Sequence, residues 1–193
     1  MNNLKNKDQP CFTEFIVIGF GASGIASAIE LSKINTSFMV LEKRNTFGGC
    51  WNDALDTSCL QTHRDCYKFA NIDYDLNVGS FPNKTEILHY FDKAIKQYGL
   101  NDKVIYNVNP KIEKNTLNKC KWKITLDKFR EVKTIYCSHI LLCLGTNTIP
   151  LIPKLEEVSC NSQQNYCDTN LKTIHSSKLN SFIKENPSFF KRK

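Results

Sequence analysis

The chain has 193 residues, 41% of them hydrophobic and 23% charged, which suits a single substantial core. Its 26 Lys and Arg outnumber its 19 Asp and Glu, giving +7. Only four of the basic residues are arginine and the lysines are scattered, so the charge forms no dense stripe and points away from specific nucleic-acid binding.

Residues 1–12 read as a polar leader without the apolar segment of a secretory signal, and no apolar run is long enough to cross a bilayer. A cytoplasmic protein is expected. Glu14-Phe15-Ile16-Val17-Ile18 is β-branched and aromatic, as a buried parallel strand requires. Gly19-Phe20-Gly21-Ala22-Ser23-Gly24 follows at once and opens a helix over Ala22 to Ile34. In a G-x-G-x-x-G turn the first glycine bends the chain, the second lets the backbone approach a pyrophosphate, and the third lets the helix pack against the strand. The helix N-terminus then offers N–H donors and positive dipole to phosphate. A second strand, Ser37 to Leu41, delivers Glu42 at its end, where a carboxylate can grip a ribose hydroxyl. Strand, turn, helix, strand and acid in this order predict a dinucleotide site.

Residues 43–80 carry no regular period, and loops that long serve a ligand or a neighbouring domain. Gly48-Gly49-Cys50-Trp51 within it is either a turn around a core tryptophan or a place where backbone meets a cofactor and Trp51 supplies a flat wall. Asn83 to Glu86 predicts a capped helix whose stripe of Ile87, Leu88, Phe91, Ala94, Ile95 and Tyr98 is core, ending at Gly99. Short strands are predicted at 104–106, 121–126 and 132–136, the last two forming a small meander over the sheet. Ile140 to Gly145 is expected as a separate, fully buried parallel strand. The basic tail from residue 179 reads as weakly structured.

The nine cysteines include no C-x-x-C pair, and the four histidines lack ligand spacing, so no metal site and no disulfide framework are predicted. The fold expected is α/β, an incomplete doubly wound domain with a β-meander, spanning residues 13–178.

The run Glu42-Lys43-Arg44-Asn45-Thr46-Phe47-Gly48-Gly49-Cys50-Trp51 resembles the E-K-x-x-x-x-G-G-x-W segment of the flavin-containing monooxygenases and related Baeyer–Villiger enzymes. Leu60-Gln61-Thr62-His63-Arg64 is similar to their L-Q-T-P-R stretch, Phe81 to Leu100 to their Y-P helix, Ile140 to Pro150 to their A-T-G-x-x-x-x-P segment, and Ile174-His175-Ser176-Ser177 to their H-S turn. The resemblance implies FAD in this first fold, held by Gly19, Gly21, Ser23, Gly24, Glu42, Gly49, Cys50, Trp51, Gln61, Thr62 and Gly145, with Gln61 and Thr62 nearest the reactive edge. Cys50 is either a small filler or a thiol beside the flavin. The implied reaction is oxygenation of a soft nitrogen or sulfur nucleophile by NADPH and dioxygen.

All eight glycines lie at or before Gly145, so the second glycine turn that members use for NADPH is missing from this sequence. Three expectations follow: an active monooxygenase completed by a partner chain or a free reductant, a truncated FAD-binding protein impaired in catalysis, or a non-enzymatic interaction module that keeps the fold.

Overall fold

The computed structural model describes residues 11–116, 120–128, 131–146 and 176–187. The chain divides into two units, Met1–Thr146 and Asn147–Lys193.

In the first unit β1 (Cys11–Ile18) begins three residues ahead of the expected strand and feeds α1 (Ala22–Lys33) and β2 (Phe38–Leu41). After the long irregular segment come α2 (Lys84–Gln97), β3 (Val104–Ile105), β4 (Lys111–Lys114), β5 (Trp122–Lys128) and β6 (Glu131–Leu142). They form one six-stranded sheet in the order β3-β2-β1-β6-β5-β4. β1 lies parallel to β2 and to β6, β2 lies parallel to β3, and β4, β5 and β6 pair antiparallel. This is the doubly wound arrangement with its meander.

Alternation divides the core in two. Val17 and Val40 face Ile25, Ala28 and Ile29 of α1 and the buried stripe of α2, while Ile16, Ile18 and Leu41 face the other way. Ile124 and Leu126 of β5 join that second cluster, and the meander continues the same sheet beyond β6. Burial there pushes the Cys137 thiol up to about 11, which keeps it protonated and inert.

The strands expected at 132–136 and 140–145 are in fact one. β6 pairs with β5 through Cys137 and with β1 through Leu142, passing from meander to parallel sheet without a break. Nor is its last part fully buried: Leu142 is 65% and Leu144 56% exposed. Beyond Cys137, β6 has β1 on one side and no strand on the other among the described residues. β4 gave no sequence signal, since Lys111-Ile112-Glu113-Lys114 has one apolar residue and forms only by pairing with Trp122–Thr125.

α2 starts as its sequence predicts. The Asn83 side chain accepts the Glu86 N–H at 3.0 Å, and the Glu86 carboxylate accepts the Asn83 N–H at 2.8 Å, a reciprocal capping box. Asn83→Ala is expected to destabilise the unit by about 1 kcal/mol in urea denaturation; an unchanged midpoint would show that the cap carries no load.

The irregular segment is ordered by aromatic packing against α2. Tyr90 stacks on Tyr74 at 3.9 Å and on Phe69 at 5.4 Å, its hydroxyl donates to the Ile72 carbonyl at 2.9 Å, and the Phe69 N–H donates to it at 2.6 Å. Burial holds the Tyr90 phenol at about 12 and raises that of Tyr74 as well. In the second unit a short turn, Ser176–Lys178, leads into α3 (Leu179–Glu185), which buries no residue. His175 and the residues from Asn147 to Ile174 lie outside the described set.

Candidate functional site

Nearby backbone requires glycine at two positions of the first turn and crowds the third. Gly19 sits at φ +99°, and a Cβ there would lie 2.4 Å from the Cys143 carbonyl oxygen. A Cβ on Gly24 would lie 1.9 Å from the Gly19 carbonyl oxygen, so only glycine lets α1 start this close to the turn. Gly21 packs on Gly49: a Cβ on either would come 3.3 Å or 3.0 Å from the other's Cα. Gly21 is the N-cap of α1, with no side chain capping the helix and no acidic residue in its first turn. The first N–H groups of α1 are therefore open to an anion.

Glu42 is 5% exposed and braces this turn. Its Oε2 accepts the Phe20 N–H at 2.7 Å and its Oε1 accepts the Arg44 N–H at 2.8 Å. The Phe20 carbonyl in turn accepts the Gly48 N–H at 2.9 Å. The peptide in the middle of G-x-G is thus held at both ends, and the turn is preformed. Each carboxylate oxygen keeps a second lone pair for a hydroxyl donor. Phe20 itself is buried, with the Tyr106 ring edge-on at 6.3 Å; burial and the Glu42 charge both raise the Tyr106 phenol.

Gly48 closes the second wall at φ +110°, where a Cβ would meet Leu88 Cδ2 at 2.6 Å and Asn52 Nδ2 at 2.9 Å. The tight turn Gly49–Asn52 follows. Trp51 is half-buried and donates Nε1–H to the Tyr67 hydroxyl at 2.9 Å, so it belongs to the aromatic core while edging the loop. Cys50 is exposed.

Of the expected site residues, the structure brings together Gly19, Gly21, Gly24, Glu42 and Gly49, with Cys50 and Trp51 in the adjoining turn. Ser23 is exposed in the first turn of α1, and Gly145 is exposed at φ +72° just past Cys143, whose N–H donates to the Ile18 carbonyl at 2.8 Å. Gln61 and Thr62 are exposed. Their flanks are fixed by Leu60 N–H to the Pro82 carbonyl at 2.9 Å and Arg64 N–H to the Ser80 carbonyl at 2.8 Å, but no described hydrogen bond ties them to the glycines. Sequence reasoning missed Phe20, Arg44 and Asp53, though it marked the Gly48-Gly49 pair; nothing local marks Asp53 as the partner of Arg44.

The three described histidines have other partners: His89 faces Asp75 at 3.4 Å, His139 stacks on Phe15 at 4.8 Å, and the His63 ring accepts the Asp65 N–H at 3.3 Å. Among the described residues no three His, Cys, Asp or Glu could hold a metal, and no helix is long and apolar enough to cross a membrane.

A family model described as an NAD(P)-binding Rossmann-like domain matches residues 17–75. An uncharacterised monooxygenase, y4iD, of Sinorhizobium fredii is 26% identical over 145 residues, covering 72% of this chain and 21% of that protein. The FAD-binding monooxygenase lolF2 of Epichloe uncinata is 24% identical over 148 residues, covering 75% of this chain and 27% of that protein. Among solved structures, OTEMO in complex with FAD and NADP superimposes with a TM-score of 0.65 at 20% identity, over 78% of this chain and 29% of that one. The resemblance to flavin monooxygenases read from the motifs is met in these relatives, and the Rossmann-like fold in the solved structure. The chain spans 21% to 27% of the length of those two curated relatives.

Proposed function

We propose that the unit Met1–Thr146 is a FAD-binding fold of the flavin-monooxygenase type. The observation that carries this is the braced glycine turn: a backbone held rigid by Glu42 and Gly48, under an uncapped helix N-terminus, with Gly21 and Gly49 leaving room where any Cβ would intrude. Gly19, Gly21, Gly24 and Gly49 would pass the pyrophosphate along their backbone, the Ser23 N–H and hydroxyl would donate to it, and Glu42 would accept from the ribose. Cys50, Trp51 and Gly145 would line the route toward the flavin ring, with Gln61 and Thr62 nearest its reactive edge by the resemblance. FAD bound there would supply the redox chemistry, accepting hydride from NADPH and activating dioxygen toward a soft nitrogen or sulfur nucleophile. The protein's own share is to bind, orient and exclude water. The free thiols, Cys137 and the exposed Cys59 and Cys66 among them, suit the cytoplasm.

A second reading, an interaction module that keeps the fold without the cofactor, is favoured by one fact. Glu42 already accepts two backbone N–H groups, so the carboxylate has a structural role of its own in bracing the turn. Absorbance separates the two: a flavin spectrum that survives desalting sustains FAD binding, and its absence after reconstitution with excess FAD sustains the module.

NADPH is another matter. A nicotinamide must be held against the flavin, and that takes a second phosphate turn. No glycine follows Gly145, so such a turn lies outside these residues, as it would if a partner chain supplied it. Anaerobic stopped-flow mixing of the FAD-loaded chain alone with NADPH is expected to leave the flavin band unbleached over seconds. Rapid bleaching would show that these residues hold the nicotinamide by themselves.

A further inference from the structure

We propose that Arg44 and Asp53 are positioning residues of the nucleotide site, an ion-paired strap that keeps the Gly49–Asn52 turn seated against Gly21. The proposal rests on the FAD reading above and adds to it two residues that the motifs did not mark as ligands.

Arg44 starts from a fixed base. Its N–H donates to Glu42 Oε1 at 2.8 Å, and its carbonyl accepts the Asn107 N–H at 3.0 Å. From there the guanidinium forks onto Asp53, Nη1 donating to Oδ1 at 2.9 Å and Nη2 to Oδ2. The Arg44 side chain is 33% exposed, and the carboxylate beside it raises the guanidinium pKa further, so the cation is permanent. Asp53 closes the tight turn through its own N–H to the Cys50 carbonyl at 3.0 Å. The pair therefore joins the end of β2, where Glu42 stands, to the turn that carries Gly49.

That junction matters because the turn is also drawn the other way. Trp51 is bonded to Tyr67, and Leu88 of α2 stands where a Cβ on Gly48 would lie, both on the side of the aromatic core. Toward β1 the turn has the Gly48 N–H bond to the Phe20 carbonyl and the Gly21–Gly49 contact. Without the strap the turn settles toward α2, the gap between Gly21 and Gly49 widens, and the backbone N–H groups no longer converge on one phosphate. The same Glu42 carboxylate holds both the Arg44 N–H and the Phe20 N–H, so a shift of Arg44 also loosens the first glycine turn. Exposed ion pairs contribute only modestly to global stability, a bidentate one toward the upper end of their range, so most of the effect falls on the geometry of the site.

The test is a double-mutant cycle in the full-length chain with Trp122→Phe as background, which leaves Trp51 as its sole tryptophan. R44A and D53A are each expected to weaken FAD binding about tenfold, read by quenching of flavin fluorescence, and R44A/D53A to be no worse than either alone. Acrylamide quenching of Trp51 should rise in all three, at thermal midpoints close to the background's. Single variants that match the background in both FAD affinity and Trp51 quenching would overturn the strap, as would fully additive losses. Should the background bind no FAD, the functional reading fails by itself, and Trp51 quenching alone then decides whether the strap seats the turn.

Discussion

Gly24→Ala should lower the stability of the first unit by about 3 kcal/mol or more, the largest loss expected from adding one methyl group here. The new Cβ would lie 1.9 Å from the Gly19 carbonyl oxygen and 2.9 Å from its carbon. These are backbone atoms, and they have nowhere to retreat. The Gly19 N–H is bonded to the Leu41 carbonyl at 2.8 Å, and the Cys143 carbonyl already presses on Gly19 from the far side. Relief requires α1 to lift from the sheet, which exposes Ile25, Ala28 and Ile29, all at most 1% exposed in the native structure. Urea denaturation followed by far-UV circular dichroism measures the loss. A variant with the parent's midpoint would mean that α1 does not pack against the turn as described.

Gly21→Val should behave differently, removing FAD binding while costing the fold only about 1–2 kcal/mol. Its Cβ would stand 3.3 Å from the Gly49 Cα, a contact that a small shift of the turn can relieve. The two γ-methyl groups then project into the space left for phosphate between the glycines. Reconstitution with FAD, desalting and absorbance provide the readout, with circular dichroism to confirm folding. A folded Gly21→Val protein that keeps flavin as well as the parent would place the cofactor somewhere other than this turn. Gly24 and Gly21, three residues apart in one motif, thus separate a demand of packing from a demand of binding.

The parts of this structure legible in the sequence are those set by neighbours along the chain. Strand β1, the glycine turn, α1, β2 and Glu42 occupy one continuous stretch, and each has a local signature in branching, helix propensity or spacing. The capping box of α2 is likewise written in Asn83 and Glu86. What could not be read depends on residues far apart. Nothing in Glu131 to Leu142 announces that a strand will change partners midway, because the alternation of the meander and the apolar run of the parallel sheet look like two elements. Tyr90 was not among the expected core positions, yet it is the platform for Tyr74 and Phe69, which sequence periodicity left in a structureless loop. In the site, the glycines were legible because steric need selects one residue type. The second job of Glu42, holding Phe20 and Arg44, was not, since a carboxylate that takes a ribose and one that takes backbone amides look alike in sequence.

β6 also governs how the protein comes into being. β1 pairs with β2 early, Phe15 opposite Phe38, but its other edge has to wait for Ile135 through Leu142. At about 5–20 residues per second on the ribosome, that interval is about 5–25 s. During it, Ile16, Val17 and Ile18 present an unpaired, β-branched edge to everything else in the cell. Newly made chains should therefore depend on chaperones more than refolded ones, in which both partners of β1 are present from the start.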